Sequence, residues 1–168
     1  MIVLVIGAKG GVGATTVALE LARRGNAVAV DLADGQFVAR LERPTWSLAT
    51  LGFGSAGQQR EATELIVKRS PALMWTPECR LSSEAVQAGL RAIGVRRPVV
   101  MDGGLESRSG LVGAIAQMAD TILIVTADSD LARWHEQRLR QQYPQAQISL
   151  GTREAARELA AQLFNLNR

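Results

Sequence analysis

Cysteine is all but missing from this sequence, with Cys79 the only one in 168 residues. One thiol makes neither an internal disulfide nor a cysteine metal cluster. Cys79 follows Pro77-Glu78 with no base near it in sequence, so it does not read as a catalytic thiol. Long apolar runs are missing too. The longest, Met1 to Ile6, falls far short of the roughly 18 residues that a membrane-spanning helix needs. It lacks a basic segment and runs straight into glycines, so it is not a secretory signal, and the expected compartment is the cytoplasm. Histidine occurs once, at His135 beside Trp134 in a helical pattern, and reads as a surface or packing residue. Strong charge of one sign is also lacking. The 19 basic and 16 acidic residues leave a net charge of +3. From Ser129 to Arg168, six arginines face four acids, which is a mildly basic solvated surface and gives DNA binding only weak support. Lysine is scarce: Lys9 and Lys68 are the only two.

What is present is a regular alternation of apolar runs and helical patterns. Leu, Ile, Val and Ala recur along the whole length, which excludes low-complexity disorder. A chain of this size buries about 70% of its unfolded surface as one domain, here residues 1–168. The expected fold is α/β, a doubly wound and mostly parallel sheet in three α/β/α layers. Ile2 to Ile6 is apolar throughout, as in a strand covered on both faces. Thr15 to Arg24 predicts a helix with Val17, Leu19, Leu21 and Ala22 inward and Gly25 as its stop. Strands are expected at Ala27 to Val30, Ala72 to Thr76, Pro98 to Met101, Thr121 to Thr126 and Gln147 to Leu150. Helices are expected at Gln58 to Arg69, from Ser82 or Ser83 to about Gly94, at 111–119, from Ser129 to Gln142, and after Thr152. Residues Gly35 to Gly57, with Pro44 and Trp46, are the least regular stretch and read equally as a partner surface or a connector. The last helix, with Ala156, Leu159, Ala160, Leu163, Phe164 and Leu166 near one side, is expected to pack on the sheet. Its polar face is too weakly basic for a membrane.

In open α/β sheets, ligands bind beyond the carboxyl ends of the strands. Three loaded segments map there: Gly7 to Thr16, Asp31 to Gln36, and Asp102 to Gly104. Strand, glycine-rich loop and helix in succession make an anion cradle, because glycines admit close approach and the helix start presents unpaired N–H groups. The ordinary P-loop ends in Gly-Lys-Ser/Thr. Here Gly13-Ala14-Thr15-Thr16 has alanine in the lysine position, while Lys9 stands at the other end of the loop.

Lys9-Gly10-Gly11-Val12-Gly13-Ala14-Thr15-Thr16 resembles the deviant Walker A motif of the ParA/MinD family of ATPases. Val30-Asp31-Leu32-Ala33-Asp34 is similar to that family's V-D-x-D segment, with Ala33 at the second acid position or Asp34 one residue on. Val99 to Gly104 is similar to its Walker B strand, and Met118 to Thr126 to the strand before its nucleotide-facing loop. The resemblance covers roughly residues 1–140, and Ala14 is similar to the CpaE/TadZ pilus-assembly branch. It implies ATP or ADP binding with Mg²⁺ by Lys9, Gly10, Gly11, Val12, Gly13, Ala14, Thr15 and Thr16. It also implies Thr15 and Asp102 as metal ligands, and Lys9, Asp31 and Asp34 as catalytic residues. The implied partners are a second copy, met through the nucleotide face, and a protein of a localised assembly such as pilus or secretion machinery, a plasmid or chromosome, or a division site. Hydrolysis is expected to be weak or absent, since Ala14 removes a phosphate-binding charge.

Other readings of the same residues stay open. The glycines form a tight turn in a nucleotide-free scaffold, Asp31 and Asp34 cap turns, Asp102 is a turn acid, and Lys9 is a solvated loop lysine. Gly7 to Gly13 followed by a helix, a strand and Asp31 also resembles a short-chain dehydrogenase. Yet the only tyrosine, Tyr143, is followed four residues on by Gln147 where that family needs lysine.

Overall fold

The computed structural model describes residues 1–76, 79–80, 84–105 and 111–165. Along the first strand, Ile2, Leu4 and Ile6 enter one buried cluster and Val3 and Val5 another, so both of its faces are covered. The elements in chain order are β1 (Ile2–Gly7), α1 (Ala14–Arg24), β2 (Val28–Asp31), α2 (Gln36–Ala39), β3 (Thr45–Ser47) and a 3-10 turn at Leu48–Leu51. There follow α3 (Ala56–Arg69), β4 (Ala72–Met74), α4 (Glu84–Arg96), β5 (Val99–Leu105), α5 (Leu111–Ala116), β6 (Thr121–Thr126), α6 (Asp130–Gln142), β7 (Gln147–Leu150) and α7 (Arg153–Phe164). The strands form one seven-stranded sheet in the order β3-β4-β2-β5-β1-β6-β7, and every pairing is parallel. Val17 and Leu21 of α1, Phe37 of α2 and Ala156 and Ala160 of α7 pack with Val3 and Val5. Ile66 of α3, Val86, Leu90 and Ile93 of α4 and Ile115 of α5 pack with Leu4 and Ile6 on the opposite face. This is the expected three-layer α/β architecture.

The strand order overturns the dehydrogenase reading. In the dinucleotide fold β1 and β2 are neighbours, whereas here β5 lies between them and pairs with both. The expected helix starts at Ser129 and Thr152 are found, each hydroxyl accepting from the backbone N–H three residues on. Gly25 ends α1 as expected, as its C-cap with φ −77°. The Phe164 ring of α7 would also lie 2.5 Å from a Cβ there. Three expectations need correction. β5 does not end at Met101 but runs through Asp102, Gly103 and Gly104 to Leu105. Gly94 does not stop α4, because the helix continues to Arg96 and the glycine makes room for Ile2. Residues 45–51 form an edge strand and a turn that bury Leu48, Ala49 and Leu51. Pro77, the expected cap at Ser82 or Ser83, and Leu166 and Arg168 lie outside the described residues.

Candidate functional site

The β1–α1 turn begins where the Ala8 amide donates to Val125 O at 2.8 Å, and ends where the Val17 amide donates to Gly13 O at 3.0 Å. Between them a weak turn closes over Gly10 and Gly11, and among the described residues no backbone N–H from Lys9 to Thr16 donates a hydrogen bond of ordinary geometry within the protein. Such a run of orphan donors is what a helix start offers to an anion. Gly11 and Gly13 hold left-handed φ values of +77° and +93°, which aim successive amides to one side. Gly13 also has a neighbour from far along the chain. A Cβ on it would lie 2.4 Å from Gly151 O, and one on Gly151 would lie 1.5 Å from Val12 O. The β7–α7 turn is thus seated directly on the loop. At Gly10 and Gly11 a Cβ would meet nothing within 4 Å, so the outer rim of the loop faces open space.

The three aspartates of the sequence reading separate into different roles. Asp31 is 1% exposed, and its carboxylate accepts from the amides of Ala33 at 2.9 Å, Phe37 at 3.0 Å and Val38 at 3.3 Å. These bonds hold the β2–α2 turn and satisfy the first amides of α2, so the turn-cap reading of Asp31 is the one the geometry fits. Asp34 is exposed and accepts from the Gln36 amide and side chain, both at 3.2 Å. Asp102 is 2% exposed, accepts from the Gly104 amide at 3.0 Å, and is hydrogen-bonded by the Thr15 side chain. Burial pushes its carboxyl up to about 6, against the opposing pull of Thr15 and Gly104, with Asp31 and Asp34 adding repulsion. At Gly104, φ is +60° and a Cβ would lie 2.8 Å from Ala33 Cβ, so the β5 end and the β2 turn touch.

These segments line one cavity of about 870 Å³. Its walls are Lys9 to Thr16, then Asp34, Gln36 and Arg40 around α2, Trp75 after β4, and Gly103 to Leu105 of β5. All of the loop residues that the sequence pointed to, Lys9 through Thr16, are there. Asp31 and Asp102 are not wall residues: the first is spent on backbone amides, the second lies behind Thr15. Gln36 closes the Asp31–Gln36 segment that the sequence had marked, whereas Arg40 and Trp75 were missed by sequence reasoning, because they follow strands whose ends lie two and three positions away from β1 in the sheet. The Thr15 hydroxyl and the Asp102 carboxylate are hard oxygen donors. Two of them suit Mg²⁺, which keeps several waters and takes its other ligands from phosphates. Among the described residues no group of three or more His, Cys, Asp or Glu side chains could hold a metal by itself.

No family model matches the sequence, and no curated protein matches it. Solved structures do. A ParA family ATPase from Chlorobium tepidum TLS aligns with a TM-score of 0.59 at 16% identity, over 98% of this chain and 80% of that one. A chain of the MinC:MinD cell division protein complex from Aquifex aeolicus gives 0.62 at 17% identity, over 88% of this chain and 66% of that one. The fold is that of the ParA/MinD ATPases. The VpsO kinase domain also aligns, with a TM-score of 0.56 at 18% identity over 88% of this chain and 81% of that one. A ParA/MinD-like fold therefore carries more than one chemistry, and function has to be read from the site. Among the described residues no helix is long and apolar enough to cross a membrane.

Proposed function

We propose that the protein binds ATP or ADP with Mg²⁺ in the cavity above β1, and that binding joins two copies across the nucleotide face. Hydrolysis in this reading is weak or absent. The dimer serves to position a cellular assembly, with pilus or secretion machinery suggested by the resemblance at Ala14. The observation that carries the reading is the run of amides from Lys9 to Thr16 without ordinary hydrogen-bond partners, on the wall of a cavity of about 870 Å³. Lys9 would contact phosphates, Thr15 and Asp102 would hold Mg²⁺, and the metal would neutralise charge on the phosphate oxygens. Asp34, exposed on the cavity wall, would orient water, and Asp31 would support it by fixing the turn. Phosphoryl transfer depends on electrostatic positioning, so the loss of a lysine at Ala14 weakens turnover more than binding.

Calorimetric titration of nucleotide-free protein with ATP and ADP, with and without Mg²⁺, tests this directly. The expected result is micromolar binding strengthened by Mg²⁺. Absence of heat at millimolar nucleotide would leave the second reading, a scaffold with the same fold and no ligand, which Ala14 favours.

A further inference from the structure

The resemblance at the P-loop leaves a charge unaccounted for. Ala14 lies on the cavity wall where the ordinary motif places a lysine, and Lys9 is at the far end of the loop. Across the cavity stands Arg40, at the C-terminal end of α2. Among the described residues it is the one cation besides Lys9 on this wall, against a single anion, Asp34.

Arg40 is held in place by its backbone and left free at its tip. Its carbonyl accepts from Arg23 Nη2 at 2.8 Å, and its amide donates to Gln36 O at 3.3 Å. The preceding turn is clamped by the Asp31 carboxylate on Phe37 and Val38. The guanidinium makes one long hydrogen bond, Nη2 to Gln36 Oε1 at 3.4 Å. Among the described residues it forms no ion pair with a carboxylate, although other arginines nearby do, such as Arg24 and Arg157 on Glu20. A guanidinium carries five N–H donors and matches a phosphate in a bidentate fork. An anchored arginine with nearly all of its donors unspent, lining the same cavity as a row of amides without ordinary partners, is a second donor set for an anion held there.

We propose that Arg40 supplies from α2 the phosphate-binding cation that Ala14 lacks, so that a phosphate chain is gripped between the Lys9–Thr16 amides and the Arg40 guanidinium. The inference rests on the phosphate reading of the cavity. It goes further in giving the missing charge to a residue outside every motif of the loop. Gln36 then acts as a rest position, holding the guanidinium by one weak bond until the anion arrives.

The test compares wild type, Arg40→Ala, Arg40→Lys and the double variant Arg40→Ala with Ala14→Lys. Each is titrated with MgATP and with inorganic tripolyphosphate, and thermal unfolding of the unliganded proteins checks that all are folded. Arg40→Ala should weaken binding of both probes about tenfold to a hundredfold, the range for loss of a charge-assisted hydrogen bond. Arg40→Lys should fall between, having the charge without the fork. Ala14→Lys should restore most of the loss, because a lysine from α1 would fill the same role. If wild type binds MgATP and Arg40→Ala binds it equally well, the Arg40 inference is overturned and the nucleotide reading stands. If only tripolyphosphate binds, in an Arg40-dependent way, the nucleotide reading fails while Arg40 keeps its role. Binding of neither probe overturns both.

Discussion

At the scale of single residues, Asp102 sets burial against charge. Its folded pKa of about 6 lies above the ordinary 3.8, so the folded protein holds that proton more tightly than the unfolded chain does. Stability from this group is therefore fully present below pH 4 and is lost as pH rises through 6. At about 1.4 kcal/mol per pH unit the loss approaches about 3 kcal/mol in the ligand-free protein. Asp102→Asn should remove it, so melting curves of variant and parent should separate between pH 4 and 6, with the variant the more stable above. Curves that stay parallel across that range would show that the carboxylate is not desolvated. The same variant should lose the Mg²⁺ dependence of nucleotide binding in calorimetry. Asp31 teaches the complementary lesson. Its place after a strand was visible in the sequence, and so were two roles for it. Only the positions of the Ala33, Phe37 and Val38 amides chose between them, because a buried carboxylate goes where donors are. Arg40 was invisible for the opposite reason: nothing local marks an arginine whose meaning comes from a wall on the other side of a cavity.

At the scale of elements, apolar runs and hydroxyl caps were readable, and β6, β7 and α6 lie where they were expected. The exceptions have a common cause. Gly94 looks like a helix stop by local rules but accommodates a side chain from a distant element, Ile2, and Gly25, which does end its helix, makes room for Phe164. The strand β5 runs past its apolar residues because Asp102 to Leu105 continue to pair with β1, through a register shift between Val5 and Gly7. Local pattern cannot see a partner that is far away in sequence. The loop glycines can be separated in the same terms. Gly10→Ala meets no neighbour and should leave thermal stability unchanged while filling part of the anion cradle, so calorimetry should record weaker nucleotide binding. Gly151→Ala drives a methyl into Val12 O and should cost about 1–3 kcal/mol. In a chain of this size that lowers the melting temperature by roughly 3–10 °C. A Gly151→Ala protein as stable as its parent would mean that the two turns do not touch in solution.

At the scale of the whole molecule, the parallel sheet was legible from the alternation of strands and helices, but its order was not. Sequence gives succession, whereas the insertion of β5 between β1 and β2 is a fact of assembly. If two copies meet over the nucleotide, Lys9→Ala should leave the protein monomeric in light scattering with MgATP, where wild type doubles its mass. A variant that doubles as well would remove Lys9 from the interface. The seat of Gly151 on Val12 and Gly13, and of Phe164 on Gly25, has a consequence in time. A ribosome makes β1 and the glycine loop before the other elements of this fold, yet β1 gains its two strand neighbours only from residues 99–126. The loop is braced only after residue 151 has emerged, and Phe164 of α7 reaches Gly25 later still. The segment that would grip a phosphate is thus synthesised well before the elements that complete it.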